Sequence, residues 1–540
     1  MSSSILKSRN FCGFGTLGLI LLLLTAGCGS DDKRADLVIL NGAEPESIDP
    51  AVVTGQLEGR ICYALFEGLL HFDRFGEPKP GIAESWNLSS DGKTYTFHLR
   101  ANARWSNGDP VTASDFARSW KRTLLPETAS EYAYLLYHIK NAQPFNEGTL
   151  KDFSQVGITV IDERTLQIAL EAPVPYFLDL CCFTTLLPVH MSTVDKYGDD
   201  WIKPDKLVND GPFRLKEWRL NYRIRLEKNP LYWDAGHVAL NTIDALPIDN
   251  SITAYNFYAS KVADLILDKG LTPPSLIPEL KTRPDFHAAP FLGTYFIRFN
   301  VTRKPFDDVR IRQAFAMVID RDRIVKKITQ AGEPPAYSFT PPGTAGGGYQ
   351  PSKMFGRDVQ RARQILAEAG YPDGKAFPTV TYLYDSKKLN EDIAVEIQSM
   401  LSEGLGVHVE LQKQEWKVYL NSLSRLDYDF ARSSWVGDYD DPNTFIDCFL
   451  AGGGNNRTGW SSKKYDDLVA AAAAESDNTK RLLIFHQAED ILLNQGTPIC
   501  PLYYYVGIQI YDGQKFGGIE PNLLDEHPFR EMYRKPLNKY

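Results

Sequence analysis

The sequence predicts a mixed α/β fold divided into two or three lobes. Three observations point there. The chain has 540 residues, well beyond the size at which a single hydrophobic core stops growing. Strand-like and helix-like patterns interleave from one end to the other, the habit of an α/β protein. No clean linker divides the chain, as expected where lobes share several crossing strands.

Residues 35–40 (ADLVIL) and 94–100 (TYTFHLR) read as strands, the second alternating polar with apolar. Thr112 to Asp115, placed before Phe116-Ala-Arg-Ser-Trp120, reads as a capped helix start, a variant of the capping box. Residues 156–161 and 165–170 read as two strands joined by a turn at Asp162-Glu-Arg. Helical apolar spacing runs from Asp308 to Thr329, from Val359 to Glu368, and from Ile393 to Leu405, where Gly406 supplies a C-cap. His408 to Leu411 reads as a strand, and 463–475 and 479–494 as two more helices, with the alanine run 470–474 continuing the first. Gly343 to Tyr349 and Gly452 to Asn456 read as flexible loops. Neither is followed by Lys-Ser or Lys-Thr, so neither is a phosphate-binding loop.

The N-terminus reads as a targeting signal, residues 1–27. Lys7 and Arg9 precede an apolar stretch from Phe11 to Leu24, which ends in Thr25-Ala-Gly-Cys28. The pattern resembles a bacterial lipoprotein signal, with Cys28 as the lipid anchor, although Thr25 stands where those signals usually carry Leu. A plain secretory signal cut near Gly27 is the alternative. Removing residues 1–27 takes away Lys7 and Arg9, so the formal charge moves from −9 to −11. An acidic protein is a poor binder of polyanions, which argues against nucleic acid. No second apolar run reaches the roughly 18 residues of a membrane span.

Of seven cysteines, Cys12 leaves with the signal and Cys28 is the anchor. Cys62, Cys181, Cys182, Cys448 and Cys500 remain, an odd number that cannot all pair within the chain. Cys181-Cys182 lies in an apolar stretch where small buried side chains are the default. No CxxC occurs, the nine histidines are scattered without HExxH, and neither a G-x-S-x-G elbow nor a dinucleotide fingerprint is present. The sequence therefore predicts no metal, no cofactor and no catalytic residues.

One run stands out: Arg432-Ser-Ser-Trp435-Val-Gly-Asp438-Tyr-Asp-Asp-Pro442. Asp438 reads either as a turn residue bonded to its own backbone or as a carboxylate held to receive a cation beside an aromatic wall.

Several further segments occur in a telling order. They are Glu44-Pro-Glu-Ser-Ile-Asp-Pro50, Leu65-Phe-Glu-Gly-Leu-Leu70, Gly81-Ile-Ala-Glu-Ser-Trp86, Thr96-Phe-His-Leu-Arg100 and Trp105-Ser-Asn-Gly-Asp-Pro-Val-Thr-Ala-Ser-Asp-Phe116. Then come Asp308-Val-Arg-Ile-Arg312, Ile319-Asp-Arg-Asp322, Leu366-Ala-Glu-Ala-Gly-Tyr371, Gln414-Glu-Trp416 and Leu502-Tyr-Tyr-Tyr505. Together, over roughly residues 40–535, they resemble the oligopeptide-binding proteins of ABC importers, the family-5 extracellular solute-binding proteins.

The resemblance implies a two-lobed, hinged periplasmic-binding-protein-like fold with an extra third domain. Domain I would comprise 28–66, 191–292 and 507–540, domain II 67–190, and domain III 293–506. It implies an extracytoplasmic, membrane-anchored monomer that captures oligopeptides and delivers them to an ABC permease with its ATPase subunits, and that performs no chemistry. Asp438 falls on the family's ammonium-binding position. Tyr132, Trp416, Arg432, Trp435 and Tyr505 fall on cleft-lining positions, and Thr54, Gly55 and Gln56 lie where the other lobe offers backbone bonds. For the aromatics the ordinary alternative is core packing, and for Arg432 a structural ion pair. The sequence also departs from the family. Where relatives carry a Lys and a His at the ends of peptides of particular lengths, Thr329 and Asn390 stand here. Where relatives can carry a disulfide, Gly293 and Val436 stand here. Other ligands of the same fold (a cell-wall peptide, a nickel chelate or another small solute) and, from other classes, a secreted hydrolase or a surface adhesin or chaperone, are the competing readings.

Overall fold

The computed structural model describes residues 33–536, so Cys28 and the targeting segment lie outside the described residues. A ten-stranded sheet organises the molecule. Its strands run in the order Val409–Gln414, Val380–Asp385, Phe430–Val436, Phe286–Phe299, Ile499–Tyr511, Leu265–Ile266, Leu37–Leu40, Thr242–Leu246, Arg223–Lys228 and Phe213–Arg219. Each half has a parallel centre. Leu37–Leu40 pairs parallel with both its neighbours, and Val380–Asp385 does the same in the other half. Such strands are covered on both faces and read as near-continuous apolar runs, which is why LVIL, buried at all four positions, is recognisable in the sequence. Two long antiparallel strands, Phe286–Phe299 and Ile499–Tyr511, join the halves. They are the crossing strands that leave no linker.

A separate four-stranded antiparallel sheet, Ala83–Leu88, Thr94–Leu99, Thr165–Ala169 and Ile158–Asp162, lies within residues 67–190. Thr94–Leu99 alternates half-buried with buried positions, as its sequence does. Helix Ala113–Leu124 packs beside this sheet. It begins in a reciprocal cap between Thr112 and Asp115 and buries Phe116, Trp120 and Leu124, while the Trp120 indole donates to the Leu186 carbonyl at 2.8 Å.

Most predicted elements are present, and the differences have local causes. The helical spacing from Asp308 to Thr329 is broken: Val309–Val318 ends at Ile319, and Arg321–Ile324 restarts and widens into a π-turn over Val325–Thr329. Asp320 causes the restart, its carboxylate accepting from the Arg323 amide at 3.0 Å as a new N-cap. Helix Lys388–Leu405 begins before Ile393, in a polar turn that carries little apolar signal. It ends at Gly406 in the left-handed region, φ 71°. The segment Gly343–Tyr349 is pinned, since the Asp440 carboxylate accepts from the Ala345 and Gly346 amides at 2.8 and 2.9 Å. The five described cysteines are free and buried. Among the described residues no helix is long and apolar enough to cross a membrane.

Candidate functional site: an acidic cavity at the end of a strand

Strand Phe430–Val436 runs out into the turn that carries Asp438. Gly437 makes that turn possible: a Cβ there would meet Leu292 Cδ2 at 2.6 Å. Its amide donates to the Leu292 carbonyl at 2.7 Å, and the Asp438 amide donates to Thr444 Oγ1 at 3.2 Å. Three acids follow within four positions, and their partners set them apart. Asp440 holds the 343–349 loop. Asp441 receives both terminal nitrogens of the buried Arg481 at 2.7 and 2.8 Å, a bidentate, charge-assisted pair. Asp438 receives only phenols, with Tyr134 Oη at 3.4 Å and Tyr132 as a second donor. No lysine or arginine among the described residues pairs with it.

Asp438 lines a cavity of about 270 Å³. Val53, Thr54, Gly55, Gln56, Gly59 and Tyr63 form one wall, at the start of helix Gln56–Leu65. Tyr132, Phe183 and Thr184 form a second. Phe291, Val436, Gly437 and Asp438 form a third, closed by Leu524 and Glu526. Burial pushes the Asp438 carboxyl up to about 6, against the phenolic hydrogen bonds that lower it. Asp447 nearby is pushed up to about 7, by burial and then by the charges of Asp438 and Asp441. Acids held this way in a concavity favour a cation entering beside them.

Arg432, on the same strand, is placed quite differently. It is 7 % exposed, and its Nε lies 3.1 Å from Asp385 Oδ2. Asp385 also accepts from Asn390 Nδ2 at 2.8 Å, and Asn390 Oδ1 accepts from Tyr295 Oη at 3.1 Å. The guanidinium lies 5.3 Å from the Tyr295 ring centre, 5.8 Å from Tyr419 and 6.0 Å from Trp416. The ion pair weighed as the alternative for Arg432 is present. Trp416 opens helix Trp416–Ser424, stacks on Tyr419 at 5.6 Å and is 45 % exposed. Tyr505 reaches Ser434 and sits near Arg432. Trp435 is partly buried, its indole nitrogen without a hydrogen-bond partner among the described residues.

The structure thus gathers Thr54, Gly55, Gln56, Tyr132 and Asp438 around one cavity. It gathers Arg432, Trp416 and Tyr505 around the Asp385 pair instead. Sequence reasoning missed Tyr63, Tyr134, Phe291 and Glu526. Tyr134 had a faint signal in the aromatic run from Tyr132 to Tyr137; the others had none.

The model for bacterial extracellular solute-binding proteins, family 5, matches residues 77–457. The chain belongs to that family. It is 37 % identical over 509 residues to the periplasmic oligopeptide-binding protein OppA of Escherichia coli, covering 93 % of each. Among solved structures it is similar to a periplasmic oligopeptide-binding protein of Borrelia burgdorferi, with TM-score 0.81, 34 % identity, and coverage of 93 % of this chain and 100 % of that one. It is also similar to Haemophilus influenzae OppA in complex with RPPGFSPFR, with TM-score 0.78, 33 % identity, and coverage of 93 % and 99 %. The periplasmic-binding-protein-like fold with mixed α/β layers and a large sheet is therefore that of a family-5 solute-binding protein.

Against that family the departures can be placed. Gly293 and Val436, which the resemblance aligns with a disulfide of relatives, are direct cross-strand partners. Thr329 donates to Glu333 Oε2 at 2.7 Å, and Glu333 pairs with Lys269 at 2.5 Å. Asn390 belongs to the Asp385 network. Neither position offers a free charge to a ligand.

Proposed function

We propose that this protein is an extracytoplasmic lipoprotein, anchored through Cys28, that captures oligopeptides as a monomer and hands them to an ABC permease driven by its ATPase subunits. It performs no chemistry in this role. The observation that carries the reading is the Asp438 carboxylate, lining a cavity between segments far apart in sequence and held by phenols alone. A peptide α-ammonium is the cation all peptides share, and a desolvated carboxylate is its natural partner.

The backbone offers a second support. On one side, strand Phe430–Val436 pairs with Phe286–Phe299 along its whole length. On the other, its pairing with Val380–Asp385 stops at Ala431. Ser433 to Val436 therefore have a single strand neighbour, and an extended ligand ending at Asp438 can add there as a strand. In this reading Gln56, Gly55 and Tyr132 close on the ligand from the opposite wall, and Trp435 flanks its first side chains. Trp416, Tyr505 and Arg432 lie further along. The domain limits 28–66 with 191–292 and 507–540, then 67–190, then 293–506, describe the bodies that close. A ligand stabilises the closed arrangement only by binding it better than the open one.

The test is native mass spectrometry of protein purified without refolding, before and after mild activation. Release of a ladder of short peptides is expected. A single non-peptide mass would keep the fold and overturn the substrate, and recovery of cleaved products from an added peptide would overturn the assignment as a binding protein.

A further inference from the structure

Glu526 lines the same cavity as Asp438 but comes from the C-terminal segment, after the last long strand. Its amide donates to Asn522 Oδ1 at 3.1 Å and its carbonyl accepts from Asn522 Nδ2 at 2.8 Å, so its backbone is fixed. Its carboxyl has no hydrogen-bond or ion-pair partner among the described residues. Arg60, whose charge acts on it, donates to Asn41 Oδ1 at 3.1 Å, and Arg530, on the same inner wall, pairs with Glu67 and Asp234. Side-chain pockets that serve any peptide need no fixed charge, because water can satisfy whatever enters. An unpartnered carboxyl on the wall of such a pocket is a selective element: it costs free energy when empty or facing an apolar group, and the cost is relieved by a cation.

We infer that Glu526 is a specificity-determining residue that takes the cationic side chain of a lysine or arginine at one of the first two positions of a bound peptide. The inference rests on the peptide reading of the Asp438 cavity. Position follows from size. Both carboxyls line one cavity of about 270 Å³, room for only a short stretch of peptide beside the bound N-terminus. A group reaching Glu526 from an ammonium fixed at Asp438 therefore belongs to the first or second residue.

The surroundings of Glu526 agree. Burial pushes its carboxyl up to about 8, with Arg60 lowering it and Asp525 raising it further. Tyr63 on helix Gln56–Leu65, Glu67, His71, Cys182 and Arg530 line the inner side of this wall with Glu526, and Asp525 and His527 flank it in sequence. The carboxyl is thus mostly protonated in the empty cavity at neutral pH and ionises when a cation enters. Binding of a basic peptide releases a proton, and binding of a neutral one leaves Glu526 unchanged.

Calorimetry on ligand-stripped protein tests this with Ala-Ala-Ala, Lys-Ala-Ala, Ala-Lys-Ala and their Nε-acetyl-lysine forms, in two buffers of different ionisation enthalpy. The expected result is a preference of about tenfold or more for one lysyl peptide over its acetylated form, with proton release. In Glu526→Gln that preference and the proton release disappear while Ala-Ala-Ala binds within about twofold of wild type. Equal binding of the lysyl and acetyl-lysyl forms by the unaltered protein overturns the inference without any variant. So does a lysine preference that survives Glu526→Gln. Failure of every peptide to bind overturns the peptide reading itself, and this inference with it.

Discussion

Arg432 and Asp438 lie six positions apart around the end of one strand, and their environments are opposite. Arg432 is buried against a carboxylate, Asp385, which Asn390 and Tyr295 hold in place. Asp438 stands in a cavity with two phenols and, among the described residues, no base paired with it. A buried charge with a partner of its own is part of the scaffold, whereas one without a base beside it leaves room for a charged ligand. The same contrast separates Asp438 from its neighbour Asp441, which Arg481 already occupies. Residue type alone does not distinguish these charges; the partner does.

The strongest way to break this contrast is to remove Asp441. Asp441→Ala leaves Arg481 buried and unpaired, and a loss of about 3–5 kcal/mol in stability is expected from chemical denaturation. Asp438→Ala should leave the denaturation midpoint nearly unchanged and instead weaken binding of peptides with free N-termini by about 2–5 kcal/mol. If Asp438→Ala destabilised the fold as much as Asp441→Ala, Asp438 would belong with the structural acids. Arg432 supplies the converse. Because Asp385 already compensates it, peptide acids and their C-terminal amides should bind within a few-fold of each other, and Arg432→Met should not alter that ratio. A strong preference for the free acid that vanishes in Arg432→Met would place Arg432 among the binding groups.

Acidity sharpens the comparison further. The unoccupied Asp438 carboxyl ionises at about 6, and a bound ammonium holds it ionised to lower pH. Affinity is therefore fully present above about 6 and falls as pH drops below it, by up to tenfold per pH unit. Asp438→Asn should flatten this profile. The smallest effect expected is at Trp416, which is 45 % exposed: Trp416→Ala should cost no more than about 0.5 kcal/mol in stability.

Much of this arrangement was legible in the sequence, where local chemistry decides. The Thr112–Asp115 cap, the alternation of Thr94–Leu99 and the Gly406 terminus depend on neighbours a few residues away. Asp438 was recognisable because its strand, its glycine and its turn are contiguous. The family resemblance pointed to Gly55, Gln56 and Tyr132, which line the same cavity, and to Arg432, Trp416 and Tyr505, which do not. What the sequence hid is set by partners distant along the chain. Nothing near Arg432 shows that Asp385 neutralises it, nothing near Glu526 shows that the C-terminal segment returns to the Asp438 cavity, and the break at Asp320 needs the cap geometry to be seen.

The most direct test of Asp438 as the ammonium receptor is calorimetry of one tripeptide with a free N-terminus against its N-acetylated form, in wild type and in Asp438→Asn. Acetylation should weaken binding to the wild type by about thirtyfold or more, as expected for losing a desolvated charge pair, and should cost little in the variant. Equal binding of the free and acetylated peptides by the wild type would contradict it.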